Sequence, residues 1–148
     1  MSVTATKKSQ IQRKWHLVDL QGQILGRVST QIAQLLLGKN KPYFVRHLDC
    51  GDYVIAINAK DIKVTGRKAK QKMYYHHTGY PKGFRETTFA QLFKKDPRQI
   101  IIHAVKGMLP QNKLKKNILG RLKVFIDANH PYQDKLNPQK PNKNAKKS

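Results

Sequence analysis

The sequence predicts an α/β layer fold with a mainly parallel sheet, and three observations predict it. Short apolar runs alternate with stretches of helical periodicity, in the order strand, helix, strand, weak strand, three helices, strand. Residues 52–59, DYVIAINA, are apolar almost throughout, which suits a parallel strand covered on both faces. Leu25, Val28, Ile32, Leu35 and Leu36 fall at helical spacing, and Gly38 is a natural stop after them. The chain has 148 residues, 39% of them hydrophobic, which is enough for one domain with a real core.

Each element has its own local reason. Residues 15–20 form the first strand, with Leu17 and Val18 at its centre and Gln21-Gly22 punctuating it. The helix from Leu25 and the strand at 52–59 follow. Residues 73–77 are a third, weaker strand. Residues 87–95 are a short helix with Phe89, Leu92 and Phe93 on one side. Asp96-Pro97 then supplies an N-cap and a proline at the first helical position. Ile100, Ile101, Ala104, Val105 and Met108 make one stripe of the helix that begins there. The β-branched run at 100–102 also suits a strand, but the Asp-Pro start and the later periodicity agree on helix. Residues 113–120 read as helical and 122–126 as a fourth strand. On either side of the globular stretch 15–132 lie a basic arm, 1–14, and a Lys-rich tail, 133–148. The tail has only Leu136 and Ala145 as apolar residues, so both ends read as flexible and ordered only on binding.

Charge narrows the function. Thirty Lys and Arg against eight Asp and Glu give a formal charge of +22. Such a chain repels itself and calls for a dense polyanion, with nucleic acid well ahead of a membrane surface. The apolar runs are too short to span a bilayer. The start of the chain lacks the apolar core of a secretory signal. Cys50 is the one cysteine, so no internal disulfide or Cys-rich zinc site is available, and an intracellular setting is expected. Met1 to Lys14 is basic and free of acids; a flexible arm is the plainer reading and an organellar transit peptide the other.

Catalysis lacks its usual parts. Glu86 is the one glutamate, and the aspartates are scattered except for Asp49 and Asp52 around Gly51, where turn-amide bonding is expected. No phosphate loop, dinucleotide fingerprint, GxSxG or HExxH motif occurs. His76-His77 is a weak metal signal, because neighbours on a strand point to opposite faces; one buried and one RNA-facing histidine is expected instead. No cofactor, metal or small-molecule substrate is therefore expected, and neither is enzymatic activity.

The basic residues are better organised. Lys60, Lys63, Arg67, Lys68, Lys70 and Lys72 lead into Tyr74, His76, His77, Tyr80 and Lys82, with Arg85 just beyond. Cations neutralise phosphates, rings stack on unpaired bases, and Gly79 and Gly83 permit close backbone approach. A second cluster, Lys106, Lys113, Lys115, Lys116, Arg121 and Lys123, contains no acid. Single-sign charge forgoes the i,i+4 pairs of an ordinary exposed helix and points to an external polyanion. A third set is Arg27, Lys39, Lys41 and Arg46. Arg27 sits where a helix start already favours an anion, unless it pairs with an acid such as Asp19 or Asp52. Basic groups spread over the whole chain suit a protein embedded in folded RNA better than a one-faced reader of DNA.

Five strings occur in order: WHLVDLQGQILGRVST, GDYVIAINAKDIKVTGRK, MYYHHTGYPKG, AVKGMLP and GRLKVFIDANHPYQ. With them the chain resembles the bacterial and organellar family of large-subunit ribosomal protein thirteen, over roughly residues 15–138. The resemblance implies a single three-layer α/β/α domain around a parallel four-stranded sheet. It also implies a structural constituent of the large ribosomal subunit that binds large-subunit rRNA, acts early in ribosome assembly and neighbours other large-subunit proteins. That places it in a cytoplasmic or organellar ribonucleoprotein and makes it part of translation. An RNA-binding regulator acting on messenger RNA is the alternative. RNA contact is implied for residues 74–83 and 106–110. Three departures stand out: Lys82-Gly83 where the family usually has Gly-Gly, Gln111-Asn112-Lys113 where a glycine step is common, and residues 130–135 in place of an HPHxAQ-like ending.

Overall fold

The most apolar run of the chain becomes the middle strand of a three-stranded parallel sheet. The computed structural model describes residues 7–136. Its elements are β1 (Trp15–Asp19), α1 (Leu25–Leu37), β2 (Tyr53–Ile57), α2 (Lys68–Gln71), β3 (Met73–His77), β4 (Phe84–Thr88), α3 (Phe89–Lys95), α4 (Pro97–Met108), α5 (Lys115–Gly120), β5 (Leu122–Val124) and α6 (Gln133–Leu136), with short 3-10 turns at Lys8–Gln10 and Ala59–Asp61. The sheet order is β1-β2-β5, with Leu17 opposite Ile55 and Lys123 on the other side of Ile55.

β2 is covered on both faces, as its continuous apolar character requires. Val54, Ile55 and Ala56 are all fully buried. Val54 and Ala56 join the core with Leu25, Val28, Ile32 and Leu36 of α1 and Ile100, Ile101 and Val105 of α4. Each such Leu or Ile stabilises the fold by roughly 1.5–3 kcal/mol when fully buried. The opposite face carries Trp15, Leu17, Tyr53 and Ile55. Its cover is the C-terminal segment: Tyr132 stacks on Trp15 at 5.4 Å, and Trp15 stacks on Tyr53 at 4.3 Å. The third layer is therefore thin and aromatic, and Leu17 stays exposed beside it. Residues 133–136, assigned by composition to the tail, form the one-turn α6 against β1. The remainder of the tail and the first six residues of the arm lie outside the described residues.

The sheet has three strands where four were expected. Met73–His77 is a strand, but it pairs antiparallel with β4 in a separate hairpin. β4, FRETT, has no apolar run to announce it and is mostly exposed. The expected helix at 87–95 accordingly starts later, at Phe89. Thr88 caps it: its hydroxyl accepts the Gln91 N–H at 3.3 Å and the Gln91 side chain accepts the Thr88 N–H at 3.1 Å. The Asp96-Pro97 start of α4 is as expected, with the Asp96 carboxylate accepting the Arg98 N–H at 3.1 Å.

The end of α1, the sheet and the N-terminal segment meet at residues 49–52. Gly38 closes α1 in the left-handed region, φ +76°, against the Cys50 carbonyl. Gly51 lies so close to the Leu36 carbonyl that no Cβ fits there. Asp52 accepts the Lys14 N–H at 2.9 Å and the Lys41 ammonium at 2.5 Å, and pairs with His16 Nε2 at 2.9 Å. Lys41 also donates to the carbonyls of Gln12 at 2.6 Å and Cys50 at 2.9 Å. Asp49 takes both terminal nitrogens of Arg121, and Arg121 donates to the Leu36 carbonyl at 3.3 Å. The arm, expected to be loose up to residue 14, is therefore tied down from Gln12 onward.

Burial pushes the Asp52 carboxyl up, but hydrogen bonds from Lys41, the Lys14 amide and His16, with the charge of Lys41, outweigh it and hold the group below its ordinary value. A carboxyl with a lowered folded pKa stabilises the fold above the unfolded value, and that contribution is lost as pH falls through the folded one. Asp52→Asn should therefore be less stable than wild type at pH 7, with the gap closing below about pH 4. Lys41→Ala leaves a buried carboxylate without its cation and should cost about 3 kcal/mol. Lys39→Ala, on the exposed loop surface, should change stability by less than about 0.5 kcal/mol. Urea melts across pH read all three.

Candidate nucleic-acid interface

One groove gathers residues from three stretches of the chain, 24–30, 64–75 and 103–108. It encloses about 970 Å³ between the start of α1, residues 64–65, α2, β3 and the last turns of α4. A pair of backbone bonds places α1 beside residue 63: the Leu25 N–H donates to the Lys63 carbonyl at 2.8 Å and the Lys63 N–H to the Gln23 carbonyl at 2.8 Å. The turn carrying α2 is held at its end by the Phe89 N–H, which donates to the Lys72 carbonyl at 2.9 Å. Arg27, Lys68 and Lys72 form the rim, and no carboxylate lines the groove. No side chain caps the start of α1 and its first turn has no acid, so its dipole adds to the positive field. Below the rim lie Ile24, Leu25, Val64, Met73, Ala104 and Met108. Tyr74 is half-buried in the wall, with the Lys72 ammonium 5.4 Å from its ring centroid and the His103 ring at 5.2 Å. Burial pushes the Tyr74 phenol up, which keeps it neutral.

The β3–β4 hairpin extends the same surface. Antiparallel pairing sets His76 opposite Arg85 and His77 opposite Phe84. His76 and His77 therefore point to opposite faces, as expected, but both are exposed, and the expectation of one buried histidine is corrected. A two-stranded ribbon has no covering layer at its tip, so neither face is inside. Tyr75 and Phe84 stack at 5.6 Å while remaining 62% and 58% exposed, and Tyr80 is 76% exposed. Lys82 sits in the left-handed region, φ +61°. That conformation costs a residue with a Cβ about 1–2 kcal/mol relative to glycine, and it accounts physically for the usual Gly-Gly at this turn. Gly83 has no such freedom, because a Cβ there would run into the Thr78 hydroxyl.

The other expected contacts divide. Lys63, Arg67 and Lys106 are each exposed next to a groove-lining residue in sequence, and Lys70 is exposed between Lys68 and Lys72. Lys39 and Arg46 are exposed on the 38–51 loop. Lys113 and Lys116 are exposed around α5, Lys115 is half-buried and donates to Gln111 at 2.9 Å, and Lys123 is half-buried on β5. Lys41 and Arg121 are the exceptions. Their charged ends face Asp52 and Asp49 inside the protein, so the structure gives them a folding role and not the outward one expected. Arg27 pairs with no acid among the described residues: Asp19 accepts from Gln21 and Asn58, and Asp52 is occupied as above. Tyr75, Gly107 and Met108, which also line the groove, fall within residues 74–83 and 106–110, where the family resemblance implies RNA contact. Thr30 and His103 line it too and are not among the expected contacts; no sequence signal marks either.

Nothing here assembles a metal site: no three His, Cys, Asp or Glu side chains converge among the described residues. No helix among them is long and apolar enough to cross a membrane. His103, in the groove wall, lies near two cations. Partial burial, then the charges of Lys106 and Lys72, push its pKa down. Replacing Lys72 and Lys106 by Ala should move the His103 midpoint back up in an NMR titration. An unmoved midpoint would show that these cations do not share a field at the groove.

Comparison with known proteins gives the family. The family model for ribosomal protein L13 matches residues 13–131. A large ribosomal subunit protein uL13 from Dehalococcoides mccartyi is 51% identical over 132 residues, covering 89% of this chain and 92% of the relative. The proteins of the same name from Pseudomonas paraeruginosa and Syntrophotalea carbinolica are 47% and 46% identical, each over 89% of this chain and 93% of the relative. With a match that spans the whole sheet, the hairpin and the groove, the chain belongs to the ribosomal protein L13 family.

Proposed function

We propose that this protein is a non-enzymatic constituent of the large subunit of a bacterial-type ribosome in the cytoplasm, and that it binds large-subunit rRNA and acts early in subunit assembly. The carrying observation is the acid-free groove rimmed by Arg27, Lys68 and Lys72, continuous in sequence with an exposed aromatic hairpin. Family membership and the names of the relatives support the ribosomal setting. Neighbouring large-subunit proteins are the expected protein partners.

The mechanism is electrostatic and geometric. Among the described residues, the ion pairs engage Arg13, Lys41, Lys60, Arg98 and Arg121, and leave Arg27, Lys68, Lys70 and Lys72 without an acidic partner. Such cations displace counterions from phosphates, which makes affinity salt-dependent. The rigid sheet and core hold them at fixed spacing, so folded RNA is neutralised where its strands crowd together. Nothing among the described residues favours a messenger RNA target over this one.

Lys68, Lys70 and Lys72 changed together to Ala should leave the fold intact, since all three are exposed. In cells also carrying wild type, the variant should enter large subunits at reduced occupancy, and its log–log salt slope for RNA should fall by about 2–3. Equal occupancy would remove this segment from the interface. Sedimentation of tagged wild type free of the large subunit, or co-migration that survives nuclease, would refute the ribosomal reading itself.

A further inference from the structure

The groove is built for more than phosphate. A cation rim alone suffices to follow a backbone, yet this groove also keeps an apolar and aromatic interior open to solvent. Met108 is 43% exposed and Tyr75 62% exposed, although both side chains gain by burial. Gly107 stands in the last turn of α4, where glycine weakens a helix relative to alanine. A Cβ at Gly107 would meet nothing within 4 Å beyond its chain neighbours and its own helix backbone, so the groove wall is open at that point for lack of a side chain and not for lack of room.

We propose that this groove receives one unpaired RNA base, packed against Tyr75 and Met108 beside Gly107, with the flanking phosphates on Arg27, Lys68 and Lys72. The proposal rests on the RNA-binding reading above and adds which part of the RNA enters. Paired RNA shows a protein its phosphates, ribose hydroxyls and shallow groove edges, and has no ring face to lend to an apolar pocket. An unstacked base has one, and stacking on aromatic side chains is the usual way such bases are held. Charge decides against an apolar peptide, which would leave three cations unmatched at the rim. An unpaired nucleotide satisfies both halves of the groove: a flat, weakly polar ring for the interior and an anion for the rim.

Gly107→Phe tests this by filling the groove without altering charge. The full-length chain is titrated into a labelled single-stranded RNA of mixed sequence and into a fully paired RNA with the same number of phosphates, with anisotropy as the readout. Wild type should prefer the single strand. Gly107→Phe should weaken single-strand binding about tenfold, leave duplex binding unchanged and leave the salt slope unchanged. Tyr75→Ala, at an exposed position that cannot empty the core, should weaken it about fivefold. Single-strand binding equal to wild type in a folded Gly107→Phe overturns the proposal, as does an equal loss for both RNAs. If Gly107→Phe does not fold, Tyr75→Ala and Met108→Ala decide by the same criteria. Duplex binding by wild type without a single-strand preference sinks the base pocket alone; absence of binding to either RNA sinks the RNA-binding reading with it.

Discussion

Asp49 and Asp52, on either side of Gly51, are where the parts of this protein are joined. Asp52 ties β1 and the N-terminal segment to the loop through Lys14, His16 and Lys41. Asp49 holds Arg121 at the entry to β5, and Arg121 reaches the end of α1 through the Leu36 carbonyl. All three strands of the parallel sheet and its first helix thus depend on two carboxylates. A protein with so few acids and so many cations places these two inside. There, the attraction to a fixed cation is stronger than at the surface, and it is set against a desolvation cost that a surface pair does not carry. The consequence is outward as well as inward. Carboxylates spent on the joint cannot neutralise the exposed lysines, and the surface keeps its positive charge.

Legibility followed the strength of the local signal. The middle strand, α1 with its glycine stop and the Asp-Pro start of α4 each rest on several residues that agree, and each lies where expected. β4 was hidden because FRETT has neither an apolar run nor a period-two pattern of large apolar residues. Its threonines serve the hairpin and the cap of α3, and the T-x-x-Q spacing of that cap was the missed cue. Lys41 and Arg121 show a different limit. Nothing in a sequence distinguishes a lysine whose ammonium faces solvent from one whose ammonium faces an aspartate eleven residues on. The groove was half legible: Lys68 and Lys72 stand in one basic run and Arg27 in a separate set, and the apolar interior comes largely from α1, β3 and α4, which only the fold brings together.

The hairpin and the groove place rigid and adaptable contacts side by side. The groove walls are fixed by helix packing and by the two bonds at Lys63. The hairpin tip carries Lys82 in a backbone conformation that glycine adopts at lower cost. That strain adds a cation where Tyr80, His76 and His77 are already exposed. A surface of this kind gains little from a small anion and much from a large folded one, because the cations are separated and must be matched together.

The central claim is that the inward cations build the protein and the outward ones hold RNA. Lysine reactivity toward a small acylating reagent, read residue by residue by mass spectrometry on the free chain and on the chain within purified large subunits, tests it directly. The account predicts that Lys41 is protected in both states, and that Lys68, Lys70 and Lys72 react in the free chain and are protected in the subunit. Reactive Lys68, Lys70 and Lys72 within the subunit, or a Lys41 that reacts in the free folded chain, would contradict it.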